Sequence, residues 1–377
     1  MPRFPWDLLA SYGQKARAHP DGIVDLSVGT PVDPVPGVVQ DALRAAANAP
    51  GYPATHGTRA LREAAAGWLA RRHEVTVEPD AVLPLIGTKE FIASLPALLG
   101  CGPGDVVVYP ELAYPTYDIG ARLAGADAVA ADALPPAGLV PAPQASATKT
   151  TTSNAPGPVR LAWVNSPSNP TGRVLSAGQL AAAARAVRER GAVLASDECY
   201  IGLGWTAEPV SVLHPEVCGG SFDGLLAVHS VSKRSNLAGY RAGFVTGDPA
   251  LVAELLEIRK HAGMMMPAPV QAAMAAALGD DEHAERQREV YAARRDQLRA
   301  ALEKAGWTIT HSEAGLYLWA SRPGLDCWSS VDLLAGAGIL VAPGEFYGPA
   351  GAQHIRVALT ATDEQVAAAA RRLATLA

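Results

Sequence analysis

Between about residues 36 and 280, short apolar runs alternate with stretches of helical period. The runs Ala81–Ile86, Val106–Tyr109, Leu161–Asn165, Ala192–Ser196, Leu225–His229 and Ala242–Thr246 have strand length and strand composition. Helical spacing occupies 36–48, 58–73, 88–100, 114–124, 176–190 and 249–261. Alternation of this kind predicts an α/β fold, a mainly parallel sheet with helices on both faces. Residues 281–305 read as a long charged helix with apolar positions at Val290, Leu298 and Leu302. It leads into a second, α+β region with strands at Gly315–Ala320, Ile339–Val341 and His354–Leu359 and a final helix. Residues 1–35 read as extended, with a short strand and turn at Asp25–Pro31. The Pro-, Ala-, Ser- and Thr-rich segment Pro135–Pro158 breaks the alternation and reads as a surface loop or hairpin.

The chain has 377 residues, 49% of them hydrophobic, which is enough for a large core and more than one compact domain. The net charge of −6 and the absence of a basic run give no support to nucleic-acid binding. Cys101, Cys199, Cys218 and Cys327 lack metal-ligand spacing, so no metal site and a reduced, cytoplasmic setting are expected. The opening residues lack the apolar core of a signal peptide, and no apolar stretch reaches the length of a membrane span. Six lysines stand beside twenty-five arginines, so each lysine is informative.

One lysine has an unusual setting. Lys233 follows the Leu225–His229 strand, sits among Ser230, Ser232 and Ser235, and precedes Arg241 by eight residues. Ligand sites of open α/β sheets lie past strand ends. An amine that forms a Schiff base with an aldehyde cofactor needs nearby hydroxyls and a guanidinium to hold a phosphate. A surface lysine on a polar loop is the plain alternative. Other features are equally two-sided by themselves. Asp197 ends a strand, where it could cap a helix. Thr88, in Gly87-Thr-Lys-Glu90, could do the same, yet a glycine at a helix start also suits phosphate. Asn165-Ser-Pro-Ser-Asn-Pro-Thr-Gly172 is rich in turn formers. Tyr114 and Tyr117 cluster in a chain only 6% aromatic, and core packing would explain them. Arg356 alone reads as a strand arginine in an ion pair.

Taken in order, these motifs resemble the fold-type I pyridoxal phosphate enzymes, specifically class I/II aminotransferases, over Asp25–Leu359. The local sequence around Lys233 is most similar to the actinobacterial N-succinyldiaminopimelate aminotransferases. The resemblance implies a seven-stranded, mainly parallel sheet sandwiched by helices, in a large cofactor domain at 36–285. It implies a smaller α+β domain from 1–35 and 286–377. It also implies pyridoxal 5′-phosphate bound to Lys233, Asp197 at the pyridine nitrogen, and Tyr200 and Asn169 at the phenolic oxygen. Tyr114 would stack on the ring. Gly87, Thr88, Lys89, Ser230, Ser232 and Arg241 would hold the phosphate, joined by Tyr52 from a neighbouring subunit of a homodimer. Arg356 would clamp the substrate α-carboxylate, with Gly29 and Asn169 lining the same site.

The implied reaction is transamination between glutamate or 2-oxoglutarate and an N-succinylated diaminopimelate, in lysine and cell-wall biosynthesis. Lys89 and the segment Arg259–Gly263 are candidates for the far end of that substrate. Other amino acids as substrate, a β-lyase or an acyl-condensing synthase remain open on the same scaffold. A transcription regulator would need a DNA-binding module ahead of Asp25.

Overall fold

The computed structural model describes residues 5–131 and 157–376. Its helices are α1 (Ala10–Arg17), α2 (Gly37–Ala45), α3 (Arg59–His73), α4 (Thr88–Leu98), α5 (Thr116–Ala124), α6 (Ala177–Arg188), α7 (Pro215–Cys218), α8 (Pro249–Ala262), α9 (Ala268–Gly279), α10 (Glu282–Lys304), α11 (Cys327–Gly336) and α12 (Asp363–Leu373). Its strands are β1 (Val24–Asp25), β2 (Val82–Leu85), β3 (Val106–Pro110), β4 (Asp127–Ala131), β5 (Val159–Asn165), β6 (Val193–Asp197), β7 (Leu225–Ser230), β8 (Gly243–Gly247), β9 (Thr308–Thr310), β10 (Tyr317–Ser321), β11 (Ile339–Leu340), β12 (Ala342–Pro343) and β13 (His354–Ala358).

Seven strands form one sheet in the order β2-β8-β7-β6-β5-β3-β4. Only β8 runs against its neighbours. Successive strand residues point to opposite faces. Leu83, Leu161, Ala195 and Leu226 therefore pack on one side with Phe91 of α4 and Tyr117 of α5. Ala162, Leu194 and Ala227 pack on the other with Leu61 and Trp68 of α3 and Leu180 of α6. Both faces are covered, which is why these strands read as continuous apolar runs. The C-terminal ends of β5, β6 and β7 share one rim, with Asn165 in register with Asp197 and Asp197 with Val228.

A four-stranded antiparallel sheet, β12-β13-β10-β9, and a parallel pair, β1-β11, lie in a separate apolar cluster. Leu318, Ile355 and Val357 meet Leu298 of α10, Val331 of α11 and Val366 of α12 there. The N-terminal residues differ from the extended reading, since Ala10–Arg17 is a helix. It buries only Gly13 and Ala16, too small an apolar stripe to register as a period. The α9 run is the opposite case: nearly all its residues are apolar, so no polar face marks a helix. The buried line of α10 also departs from expectation. Gln287, Tyr291 and Arg294 lie on it with Leu298 and Leu302, whereas Val290 is half-buried.

The polar members of that line are bonded. The Asn236 amide donates to Gln287 at 2.7 Å, Gln287 to Asp33 at 2.8 Å, and Arg294 to Asp33 through two bonds of 2.8 and 2.6 Å. The expected loop Pro135–Pro158 lies outside the described residues except for its last two. Among the described residues no helix is long and apolar enough to cross a membrane.

Candidate active site

The rim of the large sheet gathers most of the singled-out residues. Lys233 lies three residues past β7, and its ammonium donates to the Gly29 carbonyl. Burial lowers the affinity of this amine for its proton. The loop from β7 to β8 turns back through Asn236 and Arg241, both at positive φ, 56° and 55°. A left-handed arginine is a sparsely populated conformation and is held only where its surroundings fix it.

Arg241 is fixed over Gly87. A Cβ on Gly87 would lie 2.2 Å from Arg241 Nη2, and Gly87 has φ +84°. Gly87 precedes α4 and provides no side-chain cap, so the first N–H groups of that helix remain available. Thr88 opens the helix, and its methyl lies beside Gly243. Gly243 pairs with both Leu85 and Ser230. Ser230 Oγ in turn accepts from the Ser232 backbone N–H at 3.1 Å. Helix N–H groups, hydroxyls and a guanidinium with no carboxylate partner among the described residues form an anion cradle. Lys89 is exposed, with its ammonium 5.8 Å from the centre of the Tyr114 ring.

Asp197 is buried beside this cradle. It accepts from the Tyr117 hydroxyl at 2.7 Å and from the Cys199 N–H at 3.1 Å. Burial pushes its carboxyl up, against the pull of those two bonds. A buried carboxylate held in this way has a remaining face for a cationic ring nitrogen. Tyr117 was not singled out by sequence. Its one signal was its place beside Tyr114, and the ring geometry, 6.4 Å apart and edge-on, keeps the two in contact.

Arg356 is 2% exposed and ends in a polar corner. It donates to Asn169 Oδ1 at 3.0 Å and to the Ser27 carbonyl at 2.8 Å. Among the described residues no carboxylate pairs with it, and its Nε has no partner. The surface ion pair that its residue type alone suggested is therefore absent there. Asn169 is held from behind, its N–H donating to Asn165 Oδ1 at 2.7 Å. The guanidinium lies 3.9 Å from the Tyr317 ring centre and 4.8 Å from that of Tyr347. Tyr317, also missed in the sequence, sets its hydroxyl 3.2 Å from that of Tyr200.

Tyr52, expected to act in a neighbouring subunit, is 96% exposed. The expected far-end substrate residues on α8 look different in the structure. Arg259 is fully buried and spent in two bonds to Glu90, 3.1 and 3.0 Å, so it cannot reach a substrate. Lys260 pairs with Glu257 on the α8 surface at 2.6 Å.

Residues 21–373 match the family described as "Aminotransferase class I and II". The chain is 60% identical over 373 residues to the 4-dedimethylamino-4-oxo-anhydrotetracycline transaminase OxyQ of Streptomyces rimosus, covering 99% of each. It is 62% identical over 374 residues to a Mycobacterium tuberculosis protein named "Probable aminotransferase", covering 99% of this chain and 85% of that one. A solved structure of the "probable N-succinyldiaminopimelate aminotransferase" of Thermus thermophilus superposes with a TM-score of 0.84 at 28% identity, over 99% of this chain and 100% of that one. The uncapped helix, the guanidinium over Gly87 and the buried Asp197 fit a phosphorylated pyridine cofactor. The chain belongs to the class I and II aminotransferases, fold-type I enzymes that use pyridoxal 5′-phosphate.

Proposed function

We propose that this aminotransferase exchanges an amino group between glutamate and an N-succinylated 2-amino-6-oxopimelate, with Lys233 as the cofactor-binding and proton-carrying residue. The observation that carries the reading is Arg356. A buried guanidinium without a carboxylate partner is costly unless a ligand completes it. An α-carboxylate is the group common to both substrates, and a guanidinium grips it with two parallel bonds. Asn169 and Ser27 already hold Arg356 in place, so little entropy is lost on binding.

The family resemblance gives the other residues their roles. Gly87, Thr88, Lys89, Ser230, Ser232 and Arg241 hold the phosphate. Asp197 would hold a proton on the ring nitrogen, Asn169 and Tyr200 would bond the phenolic oxygen, and Tyr114 would cover the ring face. Bound there, pyridoxal phosphate supplies an aldehyde for the amino group and a ring that withdraws electrons. Lys233 Nζ, its proton affinity reduced by burial, would take the proton from the substrate α-carbon and pass it, on the same face, to the carbon of the cofactor's aldehyde group. Gly29 O orients that amine.

The exposed Tyr52 supports a homodimer in which it reaches the partner's phosphate cradle. Sedimentation that finds a fully active monomer would defeat that part. The resemblance around Lys233 and the Thermus thermophilus neighbour support the succinylated substrate. A second reading has its own observation, the 60% identity to the tetracycline-pathway transaminase. The acceptor would then be a ketone on a fused-ring scaffold. Rates measured with glutamate and each acceptor in turn separate the two. If the fused-ring ketone, diaminopimelate or another amino acid exceeds the succinylated compound tenfold in kcat/KM, about 1.4 kcal/mol, the substrate proposal fails.

A further inference from the structure

Tyr317 stands where the two working ends of the site meet. It follows Leu316 at the start of β10, diagonal to Arg356 on β13, whose direct partner is Trp319. The diagonal puts its ring on the same face as the guanidinium. The Arg356 Cζ to ring-centre distance is 3.9 Å, which is cation–π contact. The phenol oxygen reaches the backbone of Gly29. A Cβ on Gly29 would lie 2.1 Å from this oxygen, so any other residue at 29 would push the phenol away. The same Gly29 presents its carbonyl to Lys233 Nζ. On its far side the hydroxyl meets Tyr200 at 3.2 Å.

We propose that Tyr317 is a positioning residue for the reaction: its ring fixes the plane of the Arg356 guanidinium, and its hydroxyl, between Tyr200 and Gly29, tunes the amine of Lys233. The inference rests on the roles given above to Lys233 and Arg356. Two separate parts of one side chain thus serve two separate functions, and each can be removed alone.

The charged and titratable groups around the phenol are Arg356 from β13, Lys233 from the loop after β7, Cys199 and Tyr200 from the segment after β6, Tyr291 from α10, and Tyr347 from the segment after β12. Burial alone would raise the Tyr317 phenol, but the Arg356 and Lys233 cations outweigh it and bring it below the usual tyrosine range. The Tyr200 phenol is pushed up by burial and by Tyr317, so Tyr317 is the one of the pair that ionises first. Its negative character in turn favours the protonated amine of Lys233, against the burial that depresses it.

Tyr317→Phe retains the ring and deletes the hydroxyl. In the enzyme loaded with pyridoxal phosphate, the pH at which the absorbance of the lysine-bound cofactor changes is expected to fall by half a unit or more, on the order of 0.7 kcal/mol. The KM for L-glutamate is expected to stay within about twofold. Tyr317→Leu removes the ring as well, and its KM for L-glutamate is expected to rise about tenfold, a 1.4 kcal/mol loss of carboxylate grip. An unmoved absorbance transition in Tyr317→Phe overturns the inference even if Tyr317→Leu fails to fold. So does an equal rise in KM in both variants, because the ring would then contribute nothing of its own. Lys233→Ala, measured in parallel, keeps the two levels apart. If it still shows the absorbance of a lysine-bound cofactor, the reading of Lys233 is wrong; if it loses it, a silent Tyr317→Phe counts against Tyr317 alone.

Discussion

The Tyr117 hydroxyl donates a 2.7 Å hydrogen bond to Asp197 Oδ2 inside the α5–sheet interface. This bond opposes the burial that would neutralise the carboxylate. Removing it in Tyr117→Phe leaves Asp197 easier to protonate and costs roughly 1–3 kcal/mol in a buried charged hydrogen bond. Turnover is expected to fall about tenfold or more with KM little changed. Asp197→Asn, which removes the charge itself, is expected to lose several orders of magnitude while cofactor still binds through the phosphate cradle. Steady-state kinetics on both variants checks the ranking, and a Tyr117→Phe enzyme slower than Asp197→Asn would contradict it.

Lys233→Ala is expected to abolish both the yellow absorbance of lysine-bound cofactor and nearly all turnover. Among the described residues Lys233 has no understudy nearby: Lys89 is exposed and turned over Tyr114. Spectra of the purified variant with added pyridoxal phosphate provide the measurement.

Gly87→Ala tests the cradle without altering a charge. Its Cβ would collide with Arg241 Nη2, and φ +84° is a poor conformation for alanine. The guanidinium must swing away, so cofactor affinity is expected to drop at least tenfold, about 1.4 kcal/mol. Fluorescence titration of the apoenzyme with pyridoxal phosphate would measure this. Arg241→Lys is expected to lose part of the same affinity, because an ammonium cannot make two parallel bonds.

Glu198 gives a pH prediction. It is buried, accepts from the Val212 N–H at 2.7 Å, and has Oε2 3.6 Å from His229 Nε2. Burial raises its pKa from 4.5 to about 7, and His229 is kept neutral by its own burial. A raised carboxyl stabilises the fold fully below its unfolded pKa and loses that stabilisation as pH climbs through the folded one. The contribution should therefore disappear between pH 4.5 and about 7, roughly 3 kcal/mol at most. Urea unfolding of wild type and Glu198→Gln across pH 5–8 should diverge, with the variant flatter. Parallel curves would mean that the carboxyl ionises normally.

How much of this was legible depended on what kind of pattern each feature leaves. The sheet was readable because strands buried on both faces are uninterrupted apolar runs, as in Leu225–Ala227. The Lys233, Asp197 and Asn169 motifs were readable because strand-end loops compress chemistry into a few adjacent letters. Strands of two or three residues, such as β9 and β12, are too short to carry a period. The strand β4 was missed for a different reason, since its half-buried Asp127–Ala131 is mostly alanine. Tyr117 and Tyr317 were hidden more deeply. Each is an aromatic in an apolar element, indistinguishable from core until folding brings it to Asp197 or Lys233. The buried stripe of α10 failed in the reverse sense, since Gln287 and Arg294 read as solvent-facing and are buried only because Asp33 and Asn236 meet them.

The stretch from Val24 to Asp33 behaves as a cable between two posts. One post is the ladder that clips Val24 and Asp25 to Ile339 and Leu340. The other is the Arg294 clamp on Asp33. Hung between them are the Ser27 and Gly29 carbonyls, one taking Arg356 and the other Lys233. The Ala358 N–H pins the Leu26 carbonyl at 2.9 Å and the Thr360 hydroxyl pins that of Val28 at 3.0 Å, so slack introduced at Arg294, in a helix that touches no reacting atom, would reach the seat of the lysine at Gly29 before the Ser27 grip on Arg356.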